Sequence, residues 1–178
     1  MNLNKLNELS KQAHEQSVKS GFWDESLSDE HYLSLVICEL AEAIEADRIG
    51  RRSSFVGVTE TIAAFNLSVK FGVSHFDDQI KGTVEEELAD AYIRLLSLAG
   101  GRNVNIERVL LKHSNTNETF TENIFRIIKE LVYYRWSFSE RIEFALLNIL
   151  ELAESMNIDL KTFVELKMQY NKTREYKH

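Results

Sequence analysis

The sequence predicts an all-α protein that folds as a helical bundle. The chain has 178 residues and no proline, and its 7 glycines fall mostly between periodic segments. No stretch alternates apolar with polar residues over the length of a strand, as a half-buried strand would. An apolar content of 44% in a chain of this length is enough for one core. We therefore expect one helical domain over residues 1–178.

Capping patterns locate several helix starts. Three pairs of a hydroxyl and an acid three residues later fit a capping box: Thr83 with Glu86, Thr119 with Glu122, and Ser137 with Glu140. These pairs predict helices over about 84–99, 120–134 and 138–156. Hydrophobic periodicity predicts further helices over about 3–20, 28–48, 59–71, and from 159 into the C-terminal tail. Gly50 and the pair Gly100–Gly101 are expected to end the helices before them, because glycine tolerates left-handed backbone.

Charge and hydropathy exclude several partners. A net charge of -7 argues against binding a nucleic-acid polymer, which needs a basic face. A small anionic ligand would need a metal and a local basic cluster, and the tail supplies one: Lys167, Lys172, Arg174 and Lys177. A solvated tail is the alternative interpretation of this basic run. No apolar run is long enough for a bilayer and no signal peptide is recognised, so we expect a cytoplasmic protein without a membrane partner.

Two acidic pairs are the main candidates for chemistry. Glu39 and Glu42 lie on the predicted helix 28–48, and Glu87 and Asp90 lie on the next acidic helix. A spacing of three residues puts both carboxylates of a pair on one helix face. One such pair also occurs on solvated helices, but two pairs among alanines favour a cation partner, because unpaired carboxylates are costly to bury. Two packed helices would then offer four oxygen ligands to a hard divalent cation.

The acids beside the second pair have a local explanation. Glu86 is assigned to the capping box, and Glu85 to the favourable field at a helix N-terminus. Neither residue is assigned to chemistry. Asp90 is different, because aspartate is a poor residue in the middle of a helix and so indicates a site that needs the shorter acid.

Four segments, in this order, resemble the all-α nucleoside triphosphate pyrophosphohydrolases: HEQSVKSGFWDE, ELAEAIEADR, EEELADAYIRLLSLAG and ELKMQYNKTREYKH. This family comprises the MazG-type, dimeric dUTPase, dCTPase and phosphoribosyl-ATP pyrophosphohydrolase groups. The resemblance implies that Mg2+, or Mn2+ in its place, is bound by four acids: Glu39, Glu42, Glu87 and Asp90. It implies that Lys167, Asn171 and Arg174 reach the substrate phosphates. The gap between the acidic pairs is longer than usual in the family, which implies an insertion at about 51–82.

The resemblance implies hydrolysis of a nucleoside triphosphate to the monophosphate and pyrophosphate, as housekeeping of the nucleotide pool. Glu39 or Glu42 is the candidate general base, because crowded carboxylates raise one another's pKa. Trp23 is a candidate platform for the base, and packing in the core is the equal alternative. Family members form dimers or tetramers, and apolar residues on more than one helix face agree with a homo-oligomer.

Two other functions stay open from the sequence. The first is a non-catalytic, regulatory helical protein that binds nucleotide and metal through the same acids. The second is a structural bundle whose acids are solvated. The structural bundle predicts that Mg2+ and nucleotide leave the thermal stability unchanged, whereas a binding site would raise it by ligand linkage.

Overall fold

The computed structural model describes residues 3–24, 26–106 and 118–174, and within these ranges all regular secondary structure is helical. The helices are α1 (Leu3–Lys19), α2 (Asp29–Arg48), α3 (Phe55–Leu67), α4 (Val69–Gln79), α5 (Val84–Gly101), α6 (Phe120–Leu131), α7 (Phe138–Ser155) and α8 (Leu160–Asn171). The predicted all-α class is confirmed. In the described ranges no helix combines the length and the apolar character needed to cross a bilayer.

Helix α5 is the centre of the bundle. It packs against α1, α2, α7 and α8, and α6 pairs with α7 and also contacts α2. Leu88, Leu95 and Leu96 of α5 are fully buried. Each such side chain contributes about 1.5–3 kcal/mol by leaving water. Helix α5 lies between α2 and α8. Polar residues of α5 that face these two helices therefore meet polar residues of α2 and α8 inside the bundle.

Two of the predicted capping boxes are complete. At Thr119 and at Ser137 the hydroxyl accepts the third amide, and the acid accepts the amide of the cap residue. The third box is only half formed. Thr83 Oγ1 accepts the amide of Glu86 at 3.3 Å, but the Glu86 carboxylate accepts the amide of Gly82 instead, at 2.8 Å. Thr83 still starts α5, as predicted.

The predicted single helix over 59–71 is wrong, because this stretch belongs to two helices, α3 and α4. Ser68 separates them. Its backbone is extended, with φ -165°, and its Oγ accepts the amide of Phe71 at 3.3 Å. The Ser68 hydroxyl caps the amides at the start of α4, which have no carbonyl partner within that helix. The same residue therefore ends α3 and starts α4.

The segment 51–82 holds the α3–α4 hairpin, and its two ends lie together. Arg51 donates from Nη2 to the carbonyl of Lys81 at 2.7 Å, and the amide of Val84 donates to the carbonyl of Arg51 at 3.1 Å. The hairpin contacts the bundle through Phe76, which stacks on Tyr170 with ring centres 4.3 Å apart. Closely spaced ends are what an inserted hairpin needs, but its identification as an insertion stays a prediction.

The predicted helix stop at Gly50 is confirmed, since Gly50 follows α2 with φ 68°. The predicted stop at Gly100–Gly101 is wrong, because both glycines lie inside α5 and the left-handed residue that follows is Asn103. Close packing explains both glycines. A Cβ on Gly100 would lie 2.5 Å from the carbonyl oxygen of Ser10, and one on Gly101 would lie 2.4 Å from the ring of Trp23.

Candidate functional site

The four predicted acids meet where α2 packs on α5. Carboxylate oxygens of Glu39, Glu42 and Glu87 all lie within 4.8 Å of one another. A second group with the same spacing consists of Glu86, Glu87 and Asp90. Glu87 belongs to both groups and joins them. We call these five residues the acidic cluster; the structure brings together the two predicted pairs and adds Glu86.

The assignment of Glu86 to the helix start alone is wrong. Its side chain is buried, and its carboxylate accepts hydrogen bonds from the Gly82 amide and from Lys167 Nζ. Glu85 does have a structural role, but a specific one. Its Oε2 accepts the amide of Ser53 at 3.0 Å, which ties the turn after α2 to the first turn of α5. The start of α5 is therefore fixed relative to α2, and the acidic cluster with it.

Two cationic side chains form ion pairs with the acidic cluster. Lys167 of α8 is 5% exposed, and its Nζ lies 2.5 Å from Asp90 Oδ2 and also contacts Glu86. Arg94 of α5 donates from Nε to Glu39 Oε1 at 2.6 Å. Sequence reasoning missed Arg94. The sequence did indicate it, because Arg94 lies four residues after Asp90 and therefore on the same face of α5.

Burial, and after it the charge of neighbouring carboxylates, raises pKa values in the acidic cluster. Burial, reinforced by the charges of Glu86, Asp90, Glu42 and Glu39, raises the pKa of Glu87 to about 9. Glu87 therefore carries a proton at neutral pH in the absence of a cation. Partial burial and the charges of Glu39 and Glu86 also raise the pKa of Glu42.

Burial disfavours the charged form of both members of the α5–α8 ion pair, but the net result for the charge differs between them. It raises the pKa of Asp90 to about 7, although the nearby Lys167 opposes the shift. For Lys167, burial works against the charged form, but the charges of Asp90 and Glu86 outweigh it and raise the pKa of the ammonium above its usual value. Lys167 therefore stays charged and neutralises part of the cluster.

The acidic cluster fits a hard divalent cation. It offers only carboxylate oxygens, the ligands that Mg2+ and Mn2+ prefer. Five carboxylates face two cationic side chains, so full ionisation would leave an excess of three negative charges. A divalent cation would remove most of this excess and would allow Glu87 to lose its proton.

A cavity of about 240 Å³ adjoins the acidic cluster and is lined by its member Asp90 and by the two cations paired with the cluster, Arg94 and Lys167. Trp23 lines this cavity, and it also packs against a neighbouring ring. Its ring stacks on Tyr32 with centres 4.4 Å apart and planes 12° from parallel. The stacking agrees with the packing interpretation, whereas the role of Trp23 as a base platform stays a prediction. Tyr32 is a second aromatic wall of the cavity that sequence reasoning missed.

The C-terminal residues predicted to bind phosphate also reach this cavity. Lys167, Asn171 and Arg174 all line it, whereas Lys172 does not. Asn171 Oδ1 is a buried acceptor without a hydrogen-bond partner among the described residues. A buried unsatisfied acceptor costs about 1–3 kcal/mol, so a ligand donor would stabilise this residue. Lys177, the last member of the predicted basic run, lies outside the described residues.

The arrangement combines a carboxylate cluster suited to a metal, two fixed cations and a partly aromatic cavity that shares their residues. Such a combination can bind an anionic ligand that also carries a flat ring. Comparison with protein-family models, curated proteins and solved structures found no match to this chain. Function is therefore inferred from the geometry and chemistry of the site.

Proposed function

We propose that this chain is a Mg2+-dependent nucleoside triphosphate pyrophosphohydrolase of the MazG-like type. It would convert a nucleoside or deoxynucleoside triphosphate and water into the monophosphate and pyrophosphate. The observation that carries the proposal is the junction of the acidic cluster with the cavity through Asp90, Arg94 and Lys167. A triphosphate needs metal ligands and cations, a base needs an aromatic wall, and this junction offers both.

The metal ligands in this proposal are Glu39, Glu42, Glu87 and Asp90, with Mn2+ able to replace Mg2+. These carboxylates would hold the metal, which would supply positive charge against the negative charge that develops on the transferring phosphoryl group. The buried carboxylate of Glu87 would lose its proton when it becomes a ligand. Arg94, 2.6 Å from Glu39, holds that carboxylate in a fixed position.

Glu42 is the favoured general base. Glu39 is held by Arg94, whereas Glu42 is exposed to solvent, from which the attacking water would come, and its pKa lies above the usual value of a glutamate. The oxygen of a water molecule attacks the α-phosphorus, and the Glu42 carboxylate takes the water proton. The bond between the α-phosphorus and the bridging oxygen breaks. Pyrophosphate leaves with that oxygen, and the monophosphate keeps the oxygen of the water.

The remaining residues would bind the two ends of the nucleotide. Lys167 and Arg174 would stabilise the leaving pyrophosphate, and Asn171 would fix its orientation by donating a hydrogen bond from Nδ2. Trp23 and Tyr32 would contact the base. The cavity of about 240 Å³ is below the range of about 300–1,000 Å³ typical of whole-ligand pockets. It would therefore take the nucleoside, with the phosphates over the acidic cluster.

The proposal includes a cytoplasmic homo-oligomer, a dimer or a tetramer, that acts on the nucleotide pool. It excludes nucleic-acid polymers as substrates, because the chain carries a net charge of -7.

Product analysis tests the proposal. Canonical and modified NTPs and dNTPs are incubated with the protein and Mg2+, and monophosphate and pyrophosphate are both quantified. Equal amounts of both products from a subset of nucleotides would support the proposal. Folded protein that releases neither product from any nucleotide would contradict it. Nucleotides that raise the melting temperature with Mg2+ but give no product would favour the regulatory alternative.

A further inference from the structure

The outward side of α3 is apolar and exposed. The helix carries a single charged residue, Glu60, among its 13 residues. Phe55 is 86% exposed, Val56 61% and Leu67 80%, and no described part of the chain covers them. The opposite side of α3 is buried, with Phe65 packed closely on Gly72 of α4. A helix that is apolar on all sides normally lies inside a protein or an interface.

The exposed residues of α3 lie on one side of the helix. At 100° per residue, one arc of α3 holds seven residues, which we call the outer face of α3: Phe55, Val56, Thr59, Ile62, Ala63, Asn66 and Leu67. Val69 and Phe71 at the start of α4 add two further apolar side chains, each 58% exposed. With about 150–250 Å² for a whole aromatic side chain, the exposed apolar side chains amount to roughly 600 Å². Two such surfaces would bury about 1,200 Å², the lower limit of a specific interface.

We infer that the outer face of α3 binds the same face of a second copy of this chain, with the two helices antiparallel across a twofold axis. A twofold contact requires that the surface be complementary to itself. The outer face of α3 meets this requirement. In an antiparallel pair centred on the middle of α3, Phe55 lies opposite the partner's Leu67, and Thr59 lies opposite the partner's Ala63. Large residues thus meet at both ends, and small residues at the centre let the helices approach.

Charge also favours a second copy at this surface. A twofold contact brings each charge near its own counterpart, and a chain with a net charge of -7 repels itself over most of its surface. The outer face of α3 has no charged member, and Glu60 lies only at its edge. This inference specifies the contact in the proposed oligomer, but it does not depend on the metal, the nucleotide or the chemistry at the acidic cluster.

Sedimentation equilibrium of the full chain without nucleotide tests the inference. We expect the wild type to dimerise and Leu67→Glu to raise the dissociation constant at least about 30-fold, because it places an acid opposite the partner's Phe55. Phe125→Glu is the matched control, since Phe125 is 68% exposed on α6, and it should dimerise like the wild type. Circular dichroism checks that each variant is folded. A monomeric wild type, or a dimer that Leu67→Glu leaves intact, would overturn the inference.

A double variant tests the antiparallel register. Phe55→Lys combined with Leu67→Glu would place opposite charges across both ends of the helix pair and should restore dimerisation that Leu67→Glu alone removes. A double variant that remains as monomeric as Leu67→Glu would overturn the antiparallel arrangement. Because no nucleotide is present, these results are independent of whether the chain hydrolyses triphosphates.

Discussion

Replacing Glu87 with glutamine is expected to stabilise the metal-free protein at neutral and alkaline pH, although it removes a proposed metal ligand. Glu87 is 7% exposed, and burial together with four neighbouring acids raises its pKa from 4.5 to about 9. In the folded protein Glu87 keeps its proton over a pH range in which the unfolded chain has already lost it. Its contribution to stability is therefore fully present below about pH 4.5 and is lost as the pH rises toward 9.

The size of the lost stability depends on how far the pH lies above the pKa of Glu87 in the unfolded chain. At about pH 7.5 the pH lies about three units above the usual pKa, so about 4 kcal/mol of this contribution is lost at about 1.4 kcal/mol per unit. Glutamine cannot ionise, so the variant does not lose this stability as the pH rises. Its amide hydrogens need acceptors, and the neighbouring carboxylates keep part of their repulsion, so we expect a net gain in unfolding free energy of about 1–3 kcal/mol.

Urea unfolding with EDTA present, at about pH 5 and about pH 8, measures this effect. The advantage of Glu87→Gln over the wild type should be small at the lower pH and larger at the higher one. Mg2+ should then stabilise the wild type more than the variant. Glu45→Gln is the control, because Glu45 lies on α2 with an exposed side chain paired with the exposed Arg48. A wild type at least as stable as Glu87→Gln at about pH 8 without metal would contradict a strongly raised pKa of Glu87.

Four further substitutions test other parts of the site and fold. Glu39→Gln and Asp90→Asn should each lower pyrophosphate release by at least about 100-fold in a steady-state assay, and two folded variants with intact turnover would rule out the proposed mechanism. Lys167→Met leaves two buried carboxylates without their cation and should lower the free energy of unfolding by about 3 kcal/mol; urea unfolding should show almost no change for the exposed control Lys172→Met, and equal values for both would contradict the ion-pair assignment. Gly100→Ala should lower the stability by about 1–3 kcal/mol, because its Cβ would lie 2.5 Å from a backbone oxygen of α1; an unchanged melting temperature would show that α1 and α5 are not packed so closely.

The features predicted correctly from the sequence are mostly local. The capping boxes at Thr119 and Ser137 span only four residues, so their hydrogen bonds follow from the sequence pattern itself. The spacing within each acidic pair placed its two carboxylates on one helix face. The meeting of Glu39 with Glu87 is a longer-range result, which the sequence indicated because both pairs sit among small and apolar residues that must pack.

The features that were missed depend on contacts between distant residues. Glu86 has a sufficient local explanation as a cap partner, yet its ion pair is with Lys167, 81 residues away. Glycine commonly ends helices, but Gly100 and Gly101 instead allow the close approach of neighbouring residues, among them those of α1. No local pattern reveals this packing. The break at Ser68 was lost because α3 and α4 are both apolar enough to continue one periodic pattern across it.

The most direct test of the central claim is Mn2+ binding to the metal-free protein, followed by the loss of the free-ion signal in electron paramagnetic resonance. We expect the wild type and Glu45→Gln to bind Mn2+ and to release it when Mg2+ is added. Glu42→Gln and Asp90→Asn should bind at least about 10-fold more weakly, a loss of about 1.4 kcal/mol. A wild type that leaves the free Mn2+ signal unchanged, or acid variants that bind as tightly as Glu45→Gln, would contradict a metal site in the acidic cluster.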